Sequence, residues 1–159
     1  MTNNMRNVTI LFLRKENEIL LAMKKRGFGE GLWNGVGGKQ DEGELINETA
    51  KRETSEEIGV VPLIINKVAI INFYFPNDKK EINQKAHVYF CYSWKNTPVE
   101  SEEMRPKWFK ETEIPYDQMW SDDIIWLPKV LSDEKIEANF YFDEDDNVLN
   151  YDIVELLEK

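Results

Sequence analysis

Residues 38–60 read GKQDEGELINETAKRETSEEIGV, a glycine loop running into a helix. Gly43 and Glu44 open a run without Gly or Pro that lasts until Gly59, the length of an ordinary helix. Gly59 suits the left-handed backbone position just past a helix end. Taking about 100° per residue with Glu53 as origin, Glu57 falls near +40°, Glu56 near −60°, Ile46 near +20°, Thr49 near −40° and Ala50 near +60°. The apolar stripe that should face the core therefore continues towards the C-terminus as carboxylates. Acidic groups on such a stripe are costly unless a cation or hydrogen-bond donors neutralise them. Clustered carboxylates suit Mg2+ or Mn2+, hard ions that take oxygen ligands. The competing reading is a solvated acidic helix with i,i+4 pairs such as Glu48 with Arg52. The sector shared with Ile46 and Ala50, and the glycines Gly35, Gly37 and Gly38 just upstream, favour the metal site.

The chain of 159 residues suggests one domain, 1–159, with room for a core. Its 42% hydrophobic and 12% aromatic content argues for a globular fold. No apolar run approaches membrane-span length, and the opening MTNNMRNVTILFLRK lacks a signal-peptide pattern. Cys91 is the only cysteine, which excludes an intrachain disulfide and a thiolate zinc site. The net charge of −10 argues against a nucleic-acid polymer as partner. A small phosphate ligand is not excluded, because Lys24, Lys25, Arg26 and Lys39 form a basic group around the glycines. A cytoplasmic monomer without a membrane partner is the expectation.

Residues 8–13 and 18–23 are β-leaning runs that read as a hairpin or two neighbouring strands. Residues 27–39 hold six glycines and read as loop. Residues 63–75 form a β-rich run ended by Pro76-Asn77-Asp78, residues 87–94 a further strand, and residues 103–109 a shorter one. A second helix is expected around 120–131, with Ser121 or Asp122 as cap and with Pro128 delaying its regular part. Residues 139–142 and 148–153 suggest a terminal hairpin. The pattern is a mixed β-sheet with a helix on each side, an α/β/α sandwich.

Gly38, Glu44, Arg52, Glu53, Glu56, Glu57 and Gly59 fill the pattern G-x5-E-x7-R-E-x-x-E-E-x-G. This resembles the signature box of the Nudix hydrolases, which use divalent metal to cut a nucleoside diphosphate linked to another group. The likeness extends to MKKRGFGEGLWNGVGGK at 23–39, TPVESEEMRPKWF at 97–109 and MWSDDIIWLP at 119–128. These segments are similar to the oxidised-purine nucleoside triphosphatases, the 8-oxo-dGTP diphosphatases of that family. The resemblance implies Mg2+-dependent hydrolysis of 8-oxo-dGTP, or a related purine such as 2-hydroxy-dATP, to the monophosphate and pyrophosphate, with Mn2+ able to substitute. It implies metal ligands at Glu53, Glu56, Glu57, Glu103 and the Gly37 carbonyl. It also implies a purine pocket of Asn34, Asp122, Asp123 and Trp120 walled by Phe28 and Phe73. Thr9, Lys24, Gly38 and Lys39 belong at its edge or by the phosphates. Alternatives are another nucleotide substrate (a normal triphosphate, ADP-ribose or a nucleotide sugar) or a non-catalytic binding domain.

Each residue also has a plainer reading. Glu57 is the choice for general base, with Glu56 and Glu103 as rivals. Arg52, near −100° and so roughly off the carboxylate sector, either forms a surface ion pair or fixes the loop by pairing Glu44 or another box carboxylate. Glu103 sits in an acidic cluster of the kind usually solvated. Asn34 can be a turn residue, Asp122 a helix cap, His87 structural and Cys91 a buried small hydrophobe. Thr54 stands where the box usually has a bulky aliphatic, at the edge of the apolar sector.

Overall fold

The computed structural model describes residues 5–157. In chain order its elements are β1 (Arg6–Lys15), β2 (Glu18–Lys24), β3 (Trp33–Asn34), α1 (Ile46–Ile58), β4 (Val61–Tyr74), β5 (Gln84–Lys95), β6 (Met104–Lys110), α2 (Asp123–Leu131), β7 (Ile136–Phe142) and β8 (Val148–Glu155). The mixed sheet runs β1-β5-β4-β7-β8. The β1/β5 and β4/β7 pairs are parallel and the β5/β4 and β7/β8 pairs antiparallel. β2 pairs with both β3 and β6.

Strand alternation builds two cores. Leu11, Leu13, Leu20, Tyr89 and Cys91 face α1 through Ala50 and Ile58. Phe12, Leu21, Val88 and Phe90 pack on the opposite face with Trp126, Leu127 and Val130 of α2. The expected sandwich is therefore present. Cys91 is fully buried, as a small hydrophobe should be.

β1 and β2 pair only beside their turn, at Arg14↔Ile19 and Lys15↔Glu18. Beyond that they part, and the glycine stretch wedges in against β1. Val36 exchanges backbone hydrogen bonds with Leu11, Thr9 N donates to Gly38 O at 2.9 Å, and Gln40 N donates to Asn7 O at 3.0 Å. The stretch read as loop thus includes β3 and two isolated bridges to β1. No alternating pattern marks these contacts, because backbone atoms make them.

Three local expectations fail. Thr54 is not at the edge of the buried sector but wholly buried, and its Oγ1 donates to Ala50 O at 2.7 Å. The hydroxyl is satisfied inside its own helix, so a polar side chain is tolerated there. The buried set Thr49, Ala50, Thr54 and Ile58 leaves Glu56 exposed. In α2 Asp122 takes the N-cap position, but neither it nor Ser121 makes a side-chain capping bond. Ser121 Oγ accepts from Val148 N, and Asp122 itself has helical dihedrals. Pro128 lies inside the regular helix rather than before it. It removes a single hydrogen bond, and burial of Trp126, Leu127 and Val130 holds the helix regardless.

Candidate active site

α1 carries the acidic half of the site. Its start is fixed by Glu48 Oε1, which accepts from Leu45 N at 3.1 Å. Its end is fixed by Gly59, left-handed at φ 72°. The glycine stretch lies directly over its C-terminal half. Gly37 N donates to Glu57 Oε1 at 3.0 Å. A Cβ on Gly38 would overlap the Glu53 carboxylate, and one on Gly37 would overlap the Thr9 carbonyl, so this approach needs glycine.

Arg52 ties loop to helix. Its Nε and Nη2 grip the two oxygens of Glu44 at 2.7 and 3.0 Å. Nη1 reaches Glu53 at 2.9 Å and Glu56 at 3.3 Å, and Nη2 also donates to Lys39 O at 3.1 Å. This is the loop-fixing arrangement, not an isolated surface pair. The Arg52 guanidinium first, then the Thr49 hydroxyl and the Asp41 amide, hold the Glu44 carboxyl down at about 2.

Glu57 is the opposite case. Burial pushes its carboxyl up to about 7, aided by the charges of Glu53 and Glu103 and opposed by the Gly37 amide and Lys24. Burial raises Glu53 as well. Half-buried carboxylates, all with oxygen donors, beside a backbone carbonyl make a donor set that fits a hard divalent cation. Among the described residues no three acidic groups yet converge on one point. Arg52 holds Glu53 and Glu56, and Arg26 holds Glu103 through Nε at 3.1 Å. Glu103 is thus brought to the rim, close enough for its charge to act on Glu57, but is turned to Arg26.

A cavity of about 430 Å³ opens where β1 and β2 part. Thr9, Lys24, Phe28, Asn34, Gly38, Lys39, Phe73, Trp120, Asp122 and Asp123 all line it, so the structure gathers every residue expected of the pocket. Phe28 and Trp120 lie with centroids 5.0 Å apart. Asn34 Oδ1 accepts from Gly35 N at 2.8 Å, so Asn34 shapes its own turn as well as lining the cavity.

Asp122 and Asp123 are both buried. Burial pushes both carboxyls up, Asp123 further because the Asp122 charge adds to it. Trp126 Nε1 donates to Asp122 Oδ2 at 2.7 Å and draws Asp122 back down. Asp123 Oδ2 is buried without a partner. A buried acid with a bare oxygen at a cavity wall is ready to meet a ligand's polar edge.

Phe75 and Phe142 were not anticipated in this wall. Their rings stack at 5.0 Å and 10°, against Trp120. The available signal was the two-residue spacing of Phe73 with Phe75 and of Phe140 with Phe142, which puts each pair on one strand face. His87 is structural, its ring nitrogens bonded by Lys67 and Asn7.

A glycine loop clasped over a carboxylate helix, beside a nucleoside-sized cavity, defines a class that sequence comparison also finds. The NUDIX domain model matches residues 3–130, and the chain belongs to the Nudix hydrolase family. Nudix hydrolases generally need divalent metal ions and act on small nucleotide substrates. The chain is 40% identical over 148 residues to the oxidized purine nucleoside triphosphate hydrolase of Mus musculus, covering 93% of this chain and 94% of the relative. The protein of the same name from Danio rerio is 37% identical, covering 94% of each. A solved MutT protein from Bacillus halodurans shares the fold, with TM-score 0.80 and 24% identity over 94% of this chain and 97% of that one. Among the described residues no helix is long and apolar enough to cross a membrane.

Proposed function

We propose that this chain hydrolyses oxidised purine nucleoside triphosphates, 8-oxo-dGTP foremost, to the monophosphate and pyrophosphate. The observation that carries the reading is the buried pair Asp122–Asp123 in an aromatic cavity, with Asp123 Oδ2 unpartnered. The pair can hold one proton and so present a donor beside an acceptor. An 8-oxo group puts a hydrogen on N7, a donor that ordinary guanine lacks. Trp120 supplies a stacking surface that is indifferent to edge chemistry. The similarity to relatives named for oxidised purine triphosphates points the same way.

Glu53, Glu56, Glu57, Glu103 and the Gly37 carbonyl would hold Mg2+, with Mn2+ able to substitute. The bound cation supplies charge withdrawal from the phosphates and a more acidic water. Glu57 would serve as the base towards an attacking water, and in the metal-free chain burial already raises its carboxyl towards neutrality. Arg52 keeps the glutamates and the loop in register. Lys24 and Lys39 receive the phosphate chain. Such a protein works on a pool of small nucleotides as a cytoplasmic monomer.

Pyrophosphate release from a panel of oxidised and ordinary triphosphates, with and without Mg2+, tests this directly. Reaction in 18O-water locates the cut between the α and β phosphates. Equal turnover of dGTP and 8-oxo-dGTP, or inorganic phosphate as first product, refutes the reading.

A further inference from the structure

Arg6 opens β1 on the cavity side, two residues before Val8, which pairs with Lys39. Its side chain is half-buried and lines the purine cavity. Its Nε is buried without a hydrogen-bond partner, and no ion pair holds its guanidinium among the described residues. An unpaired guanidinium at a cavity wall is a costly arrangement unless an anion meets it.

A second concavity adjoins the first, bounded by Asn7 and the loop residues 40–44. Arg6 and Lys39 line both, whereas Trp120, Asp122 and Asp123 line only the first. The two cations therefore stand where one cavity passes into the other. Of the three acids on the outer wall, Asp41 and Glu44 are engaged by Arg52, and Glu42 forms no ion pair with Arg6 among the described residues. Glu57 and Glu53 lie beneath Gly37 and Gly38, next to Lys39 along the loop. A phosphate chain leaving the nucleoside and crossing Gly37 and Gly38 reaches Lys39 and Arg6 with its outer phosphates.

We infer that Arg6, with Lys39, is a subsite for the terminal phosphates, through which the protein favours triphosphates over shorter nucleotides. This rests on the nucleotide reading above, but the subsite recognises polyphosphate alone. Arg6 presents a planar fork of donors suited to phosphate oxygens, which a lysine matches only as a point charge.

Calorimetric titrations without added divalent metal separate the two ideas. Inorganic tripolyphosphate probes the subsite, and 8-oxo-dGMP probes the nucleoside cavity. Arg6→Gln should weaken tripolyphosphate about 10- to 100-fold, the range for a lost charge-assisted hydrogen bond, with partial recovery in Arg6→Lys. Its 8-oxo-dGMP affinity should stay within about twofold of the parent. Unchanged tripolyphosphate binding in both variants, its absence in the parent, or equal weakening of both ligands overturns the subsite. A parent that ignores 8-oxo-dGMP while Arg6→Gln still loses tripolyphosphate refutes the substrate reading and upholds the subsite. Thermal melting of each variant verifies that it is folded.

Discussion

Trp126 Nε1 lies 2.7 Å from Asp122 Oδ2, and this one bond makes the acid pair unequal. Asp122 has a donor, whereas one oxygen of Asp123 has none. Trp126 therefore favours the charge on Asp122 and the shared proton on Asp123. Trp126→Phe keeps a buried ring but removes the donor. Asp122 should then hold its proton to higher pH, and the acid limb of the kcat/KM profile should move up. A lower Tm with an unmoved profile would make Trp126 a packing residue only.

Asp122→Asn and Asp123→Asn should each lower kcat/KM for oxidised purine triphosphates by about 1–3 kcal/mol, the cost of a mismatched buried polar edge. Trp120→Leu should weaken all purines alike, since stacking does not read edges. The measurement is the ratio of kcat/KM for 8-oxo-dGTP and dGTP. Asn variants that keep the parent ratio would remove the pair from recognition.

Glu57→Gln should lower kcat about 100-fold or more while leaving the fold intact, as for loss of a general base. Because burial already disfavours the Glu57 charge, the metal-free variant should melt no earlier than the parent. Turnover near the parent's at saturating Mg2+ would exclude Glu57 from the chemistry.

Glu44 makes the loop clasp sensitive to acid. Its carboxyl sits at about 2 against an ordinary 4.5, so the folded chain binds fewer protons than the unfolded one between those values. The stability it gives is complete above pH 4.5 and is lost as pH falls towards 2. Glu44→Gln should flatten the decline of Tm across that window. A parent and variant with parallel profiles would show that the clasp does not contribute.

His87 acts at milder pH. Burial first, then Lys67 and Lys85, hold its ring down at about 4 against an ordinary 6.5. The Lys67 ammonium can only donate, so Nδ1 accepts at 2.9 Å and Nε2–H donates to Asn7 Oδ1 at 3.1 Å. The unfolded chain takes up the proton first, so stability falls as pH drops from 6.5 through 4. Replacing His87 with Gln should remove that slope, read from Tm at successive pH values.

Much of the catalytic half was legible because it lies on one helix. The spacing of Glu53, Glu56 and Glu57 and the stop at Gly59 follow from helical geometry, whereas the reach of Arg52 back to Glu44, which lies before α1, was one of two open readings. The purine side was legible through resemblance, and the cavity gathers all ten residues that the resemblance named. Yet the angular estimate set Thr54 at the edge of the core when it is wholly buried. A period measured from one residue fixes relative angles, not which way the helix is turned against its sheet.

The amino-acid order by itself determined the helix and its acidic face, the alternating strands and the clustering of glycines before the helix, since each follows from backbone geometry over a few residues. Only the tertiary structure decided that β1 and β2 part to admit the glycine stretch, that Phe75 and Phe142 stack beneath Trp120, and that Arg6 and Lys39 both line two adjoining concavities. Those contacts join residues far apart in the chain. Their partners are chosen by the register of the whole sheet and the packing of both cores, which no local pattern encodes.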